Sequence, residues 1–186
     1  MRYENFTADA YYQVHGKGIG QEKLFIDDED YVRFIFLITH FQSPIRVYNV
    51  SWYTKSFLKN GSFSTKADRA DLLLKDRHIR LVSFALMPDY FDILVQNLED
   101  QILSVYMHRV LTAYGKYFNA KYKKRGHIFA GPFEAVFVNP KDLSAVSTGL
   151  HQKPADYRKY RWSSYSDYTT KNRWGGLLTG PKYPQK

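Results

Sequence analysis

The feature that most constrains the fold is a pair of strand-like segments separated by only three residues. Residues 78–86 and 90–96 are rich in β-branched, aliphatic and aromatic side chains, and Met87-Pro88-Asp89 lies between them. A connection this short joins antiparallel strands, because parallel strands need a crossover of a dozen or more residues. The sequence therefore predicts an antiparallel hairpin.

The segments on either side of the hairpin predict an α+β domain. A strand-like segment at 11–15 precedes acidic residues 27–30, which favour a helix N-terminus, and the nearly all-apolar run 31–41. Apolar residues from 102 to 124 recur at three- and four-residue spacings and predict a long amphipathic helix. A strand at 133–138 and a short helix at 141–150 follow. This order is typical of a ferredoxin-like β-α-β-β-α-β antiparallel sheet with an insertion before the second strand and a C-terminal helix.

Residues 44–77 form the predicted insertion. Val47 to Tyr53 are typical of a strand, Asn60-Gly61 of a turn and Thr65 to Lys75 of a short helix. The aromatic pair Trp52 and Tyr53 makes this segment a candidate surface for a protein partner. We expect one domain over residues 1–170, and the glycines and prolines of 171–186 predict a loose C-terminal tail.

Composition favours a polyanionic partner and excludes several chemistries. The formal net charge of +9 attracts nucleic acid, and the 16 tyrosines and 13 phenylalanines can fill a core or stack on unpaired bases. The absence of cysteine excludes disulfides, thiolate nucleophiles and cysteine-bound zinc. No apolar run approaches the roughly 18 residues of a spanning helix, so we expect a cytoplasmic protein without a membrane partner.

Four stretches carry a resemblance to a known family. They are YQVHGKGIGQEKLF (12–25), LMPDYFDILV (86–95), LTAYGKYFNAKYKKRGHIFAGPFEAVFV (111–138) and YRWSSY (160–165). In this order they resemble the REP-associated, insertion-sequence-200-like branch of the single-tyrosine HUH transposases. The likeness covers most of the chain outside residues 44–77 and the C-terminal tail.

The resemblance implies a protein that cuts and rejoins single-stranded DNA beside a hairpin. In the family, two histidines on one strand hold Mg²⁺ or Mn²⁺, an amide side chain assists, and a tyrosine on a later helix attacks the phosphate. The corresponding positions here are Tyr90 and Asp92 for the histidines, Lys153 for the amide and Gly149 for the tyrosine. Glycine cannot be a nucleophile and lysine opposes a metal ion. We therefore expect no catalytic residue, metal site or cofactor, and no transposase activity.

An active strand transferase with a relocated site is an alternative. Asp92, His127, Glu134 and His151 are the available metal-ligand types, and Tyr157 or Tyr160 could serve as the nucleophile. His127 and His151 also match family histidines, for which packing or hydrogen bonding is the competing interpretation.

With the catalytic positions replaced, the resemblance still implies binding of DNA. The residues expected to contact DNA are Lys17, Arg109, Lys116, Lys123, Lys124, Arg125 and His127, because the family uses neighbouring regions to hold a hairpin. Pro132 and Glu134 stand where relatives often carry arginine and lysine, which weakens phosphate contact there.

These features predict a transposase-like domain that binds single-stranded or hairpin DNA without cleaving it. A protein-interaction or structural module using residues 44–77 is one alternative, and an RNA binder with exposed aromatics on the sheet is another. Family members include dimers and monomers, so the resemblance allows a homodimer without requiring one. A basic groove beside Tyr90 and Asp92 would favour DNA, whereas scattered charge would favour the interaction module.

Overall fold

A four-stranded antiparallel sheet lies at the centre of the computed structural model, which describes residues 5–63, 67–170 and 172–178. Its strands are β1 (Tyr11–Lys17), β2 (Ile79–Met87), β3 (Tyr90–Asn97) and β4 (Glu134–Val138), in the order β2-β3-β1-β4. β2 and β3 pair antiparallel from Met87 opposite Tyr90, as the hairpin prediction requires. The predicted α+β class with an antiparallel sheet is confirmed.

Helices cover the sheet and connect its strands. They are α1 (Asp28–His40), α2 (Val50–Asn60), α3 (Ala67–Lys75), α4 (Ile102–Tyr122), α5 (Leu143–His151) and α6 (Tyr165–Thr169). None of the helices in the described ranges is long and apolar enough to cross a membrane. α1 and α4 pack on one face of the sheet, where Phe91, Ile93 and Val95 are fully buried. These residues alternate along β3 and so share a face, and burial of each contributes about 2 kcal/mol.

A buried carboxylate ties α1 to the C-terminal end of α4. Asp30 forms a capping box with Asp27 at the start of α1. Its side chain also accepts hydrogen bonds from Tyr117 (2.9 Å), Tyr122 (2.7 Å) and the Lys121 ammonium (2.9 Å). The acidic run at 27–30 therefore caps one helix and holds the end of another, which sets the direction of the basic residues that follow α4.

The second face of the sheet is only partly covered. α5 lies over β2 and β3, where Leu150 packs with Val82, Ala85 and Leu94. The hydroxyls of Ser147 on α5 and Ser83 on β2 hydrogen-bond at 2.7 Å. Toward the other end of β1 and β4 on this face, the side chains of Lys17, Glu134 and Val136 are exposed, and Val136 is 67% exposed, whereas Val138 is buried in the cluster with Leu150. One edge of this face is therefore available to a ligand.

The prediction for residues 44–77 was partly wrong. Val47 to Tyr53 do not form a strand, because helix α2 begins at Val50 and buries Thr54 and Phe57 against the core. Packing of Phe57 on the distant Trp174 decides the structure over the β propensity of the run. Gly61 ends α2 in a left-handed conformation, and α3 confirms the predicted short helix, although residues 65 and 66 lie outside the described residues.

The prediction of a loose tail was wrong for residues 172–178. The indole of Trp174 is fully buried and stacks on Phe57 at 4.9 Å, and Leu177 is fully buried as well. Arg173 forms an ion pair with Asp167 of α6 at 2.9 Å, which fixes the start of this segment. The glycines at 175 and 176 permit a turn that folds the aromatic side chain inward. The rest of the predicted tail, 171 and 179–186, lies outside the described residues.

Candidate functional site

The end of β1 and the start of β3 bring four polar side chains together. In the strand register His15 lies opposite Asp92 and Lys17 lies opposite Tyr90. Residues two apart on a strand point to the same face, so all four share the face that α5 partly covers. This end of the sheet is where the matched sequence motifs converge.

Asp92 is a buried carboxylate with two partners. It is 1% exposed, and its Oδ2 atom accepts a hydrogen bond from the Lys153 ammonium at 2.5 Å. Its Oδ1 atom lies 3.2 Å from Nδ1 of His15. A buried carboxylate without partners is strongly unfavourable, so Lys153 and His15 stabilise its position.

The Tyr90 ring lies between the Lys153 ammonium and the His15 ring. The Lys153 ammonium sits 5.4 Å from the centre of the Tyr90 ring, and the His15 ring centre is 5.5 Å away. Burial raises the pKa of the Tyr90 hydroxyl; Lys153 lowers it, whereas Asp92 and Asp89 raise it, and the net change is upward. The hydroxyl is therefore protonated at neutral pH and is a poor nucleophile.

The residues at the family's metal positions do not fit a divalent cation. Tyr90 offers a protonated hydroxyl, and one oxygen of Asp92 is already occupied by the ammonium of Lys153. Within residues 5–63, 67–170 and 172–178, no three histidine, aspartate or glutamate side chains are placed to hold a metal ion. Neither histidine nor a free carboxylate is present at these two positions, and the fixed positive charge of Lys153 beside Asp92 opposes a divalent cation.

Gly149 and His151 occupy different environments on α5. Gly149 is exposed, and a Cβ atom built there would meet no other atom within 4 Å. His151 is 3% exposed and its Nε2 atom lies 2.7 Å from the Ser164 hydroxyl. Burial lowers the pKa of His151 to about 4, so it is neutral at physiological pH. It packs between α5 and residues 163–165, in agreement with the interpretation that this histidine packs and hydrogen-bonds rather than binding a metal ion.

The candidates for a relocated site are not brought together. His127 is exposed in a loop after α4, whereas His151 is buried and Glu134 lies opposite His15 on β4. The Tyr157 ring packs edge-on against Tyr165 at 5.2 Å. The Tyr160 hydroxyl donates a hydrogen bond to the Leu86 carbonyl at 2.6 Å, and burial raises its pKa.

The glycine loop after β1 packs against the 126–132 segment. Backbone hydrogen bonds join Ile19 to Ile128 (3.1 Å) and Ala130 to Lys17 (2.9 Å), and Gly18 donates to the Asp89 carbonyl (2.8 Å). A Cβ atom on residue 18 would lie 2.1 Å from the Glu22 carbonyl oxygen, so this close turn requires glycine. The loop is therefore a fixed turn that supports the neighbouring surface.

Two adjoining grooves flank this loop and share Ala130 in their walls. The smaller, of about 380 Å³, is lined by His15, Lys17 and Tyr90 among others. The larger, of about 760 Å³, runs between α4 and the 126–132 segment and is lined by Lys116 and His127, with a floor that includes Gly115. Together they form the groove, as we call it below.

Most of the predicted DNA-contacting residues lie at the groove or beyond the end of α4. Lys17, Lys116 and His127 line it. Lys123, Lys124 and Arg125 follow α4 and are exposed. Lys124 is paired with Glu22 at 2.6 Å, in the segment that follows the glycine loop.

Arg109 is placed elsewhere. Its guanidinium donates a hydrogen bond to the Ser43 carbonyl at 3.1 Å and lies 4.6 Å from the centre of the Phe41 ring. Arg109 therefore belongs to the contact between α4 and the end of α1. Its prediction as a DNA contact finds no support in this arrangement.

Sequence reasoning missed His15 as a site residue. It carries no metal-ligand spacing along the chain, and its partner Asp92 is 77 residues away. The available signal was strand alternation, which places His15 on the same face as Lys17. Asn119, whose side chain donates to the Gly126 carbonyl at 2.8 Å and which lines the larger groove, was missed as well.

Comparison with known proteins supports the fold. A solved structure of a REP-associated tyrosine transposase bound to a REP hairpin superposes with a TM-score of 0.60 at 8% sequence identity, covering 100% of this chain and 93% of that chain. A likeness at this identity shows a transposase-like fold. No protein-family model and no curated protein matches the chain.

Proposed function

We propose that this protein binds single-stranded or hairpin DNA in the groove and does not cleave it. The observation that carries the proposal is the groove itself, where Lys17 lines the smaller cavity beside Tyr90, and Lys116 and His127 line the adjoining larger cavity. The fold is shared along the whole chain with a transposase whose solved structure holds a REP hairpin. The walls of the groove hold the basic side chains Lys17 and Lys116 and one carboxylate, Asp89, and this positive balance favours DNA over a basic partner.

Phosphate contacts would supply most of the affinity. Lys17, Lys116, Lys123, Lys124 and Arg125 are exposed and follow the groove and the end of α4. Neutralisation of about five phosphates gives a slope of log K against log salt of roughly −3.5 on single strands. Lys124 must exchange its contact with Glu22 for a phosphate, which reduces its share.

The absence of cleavage is proposed from the residues that replace the family's reactive groups. Gly149 has no side chain, Tyr90 has a raised pKa, and Asp92 is ion-paired with Lys153. A tyrosyl nucleophile and a bound metal each contribute several kcal/mol to the transition state in such reactions. Without them, DNA would be held and released unchanged.

The test is fluorescence anisotropy with labelled hairpin, single-stranded and duplex DNA at several salt concentrations. We expect hairpin or single-strand preference, with about tenfold weaker binding for Lys116→Glu. Lys141→Glu is the matched control, because Lys141 follows β4 at the opposite end of the sheet, where Val138 pairs with Tyr11. Equal losses for both variants, or no binding at low salt, would refute the groove as the site.

The same samples with Mn²⁺, run on a denaturing gel, test the catalytic part of the proposal. We expect intact oligonucleotide and no covalent protein–DNA product. A cleaved or covalently attached strand would establish an active strand transferase at a relocated site.

A protein-interaction module is the second candidate. The observation favouring it is a pair of exposed aromatic side chains in the insertion, Tyr48 at 62% and Trp52 at 58%. RNA binding has less support, because the rings on this face of the sheet, Tyr11, His15 and Tyr90, are only partly exposed, whereas sheet-based RNA modules stack bases on exposed rings. A matched RNA in the anisotropy series distinguishes this outcome.

A further inference from the structure

The outward face of α2 combines an exposed tryptophan with two lysines. Trp52, Lys55 and Lys59 fall at i, i+3 and i+7, so they lie along one stripe of the helix, about 10 Å long. All three are exposed, and Trp52 is 58% exposed. The opposite side of the helix buries Thr54 and Phe57. This stripe, which we call the α2 face, shares no residue with the lining of the groove.

The charged residues along the chain segment that carries the α2 face are all basic. The sequence contains no aspartate or glutamate from residue 31 to residue 67, whereas Arg33, Arg46, Lys55 and Lys59 lie within that stretch. Arg33 also links α1 to α2 by a hydrogen bond to the Ser51 hydroxyl at 3.1 Å. Such a surface attracts a polyanion and disfavours a basic partner.

Trp52 is held as a platform. Its ring meets the Tyr53 ring edge-on at 5.0 Å and 84°, and Tyr53 in turn packs on Phe36 at 5.2 Å. α2 is anchored below by Phe57, which stacks on the buried Trp174. A ring that is fixed before binding loses little conformational entropy when a base stacks on it.

We propose that the α2 face is a second binding surface for single-stranded DNA, with Trp52 stacking on an unpaired base and Lys55 and Lys59 contacting phosphates. The chemistry of the face requires unpaired bases and a phosphate backbone. The choice of DNA over RNA rests on the proposed function above, whereas the surface itself depends only on α2. A protein partner would have to accommodate Lys55 and Lys59 beside Trp52, whereas a single strand pairs these charges with its phosphates.

Intrinsic fluorescence provides a direct test, because Trp162 and Trp174 are 7% and 0% exposed and Trp52 is the accessible tryptophan. Unlabelled oligodeoxythymidine of 12 nucleotides should quench wild-type fluorescence at low salt. In parallel anisotropy measurements Trp52→Ala and Lys55→Glu/Lys59→Glu should each weaken binding of this oligonucleotide about tenfold, and Trp52→Phe should retain most of the affinity. Phe137→Ala is the matched control, since Phe137 is equally exposed at 58% on β4; it should bind like wild type.

The groove and the α2 face are distinguished by crossing the variants. Lys116→Glu should leave the quenching by oligodeoxythymidine unchanged while it weakens hairpin binding. Hairpin binding without any quenching would overturn the α2 face and leave the proposed function standing. Quenching by oligodeoxythymidine, together with hairpin and single-strand binding that Lys116→Glu leaves unchanged, would overturn the groove alone. Tenfold tighter binding of the matching RNA would overturn the assignment to DNA, and circular dichroism of each variant confirms that the comparison is between folded proteins.

Discussion

Replacing Lys153 with methionine removes one partner of a buried ion pair and keeps most of the side-chain volume. Loss of one partner costs about 3–5 kcal/mol when the remaining charge is fully desolvated. Asp92 is 1% exposed, but it keeps His15 at 3.2 Å, and the Lys153 side chain is 34% exposed. We therefore expect a loss below that range, about 2 kcal/mol. For a domain of this size that lowers Tm by roughly 4–8 °C.

The assay is urea unfolding of wild type, Lys153→Met, Asp92→Leu and the double variant. Asp92→Leu leaves an ammonium that can turn to solvent, so its loss should be smaller. The double variant should lie within about 1 kcal/mol of wild type, because no buried charge is left unpaired. Lys141→Met controls for loss of a surface lysine. A loss under about 0.5 kcal/mol for Lys153→Met, or strictly additive losses in the double variant, would refute the buried pair.

Three further perturbations test the structure. Gly18→Ala should lower the free energy of unfolding by about 1–3 kcal/mol, since the new Cβ meets the Glu22 carbonyl oxygen at 2.1 Å. Gly149→Ala lies at an open helical position and should raise the free energy of unfolding by about 0.5–1 kcal/mol. Equal effects of the two variants in thermal or urea unfolding would contradict the tight turn at Gly18. Burial lowers the pKa of His151 to about 4 in the folded protein. As the pH falls, the unfolded chain therefore takes up a proton on this histidine before the folded protein does. The contribution of His151 to the free energy of unfolding is fully present above about pH 6.5 and decreases as the pH falls toward 4. Urea unfolding between pH 7 and 4 should show a loss of up to about 3 kcal/mol that His151→Gln reduces, and an unchanged profile in the variant would assign the loss to other groups. Trp174→Ala should cost about 3–5 kcal/mol, measured by urea unfolding, because the indole is fully buried; a cost near zero would restore the interpretation of residues 172–178 as a loose tail.

Local patterns predicted the sheet and its two covering helices. The two-residue alternation of β3 and the three- and four-residue spacing in α4 each depend on neighbours in the chain, so they can be read without a structure. The order of these elements was enough to predict the fold class. Local patterns failed at Val47–Tyr53, where a β-like composition lies partly inside α2, because burial of Phe57 against distant residues decides the outcome.

The sequence proposed the residues of the candidate site one by one, and their roles stay predictions; it did not indicate how they are arranged. Sequence motifs identified Tyr90, Asp92 and Lys153 as replacements, and charge identified Lys17 and Lys116 as candidate DNA contacts. They did not indicate that Lys153 reaches Asp92 across 61 residues of chain, nor that Arg109 is directed at the Ser43 carbonyl. Such contacts depend on how β3, α5 and α1 are placed relative to one another.

By itself the sequence determined the types of most elements, the basic charge, the absence of cysteine and the glycine at residue 149, since each is a property of single residues or of neighbours along the chain. Only the tertiary structure decided that Trp174 is core, that Trp52 is exposed, and that an ammonium is bound to the buried carboxylate of Asp92. The physical reason is that burial and ion pairing are set by residues far apart in sequence, whose meeting requires the packed sheet and helices.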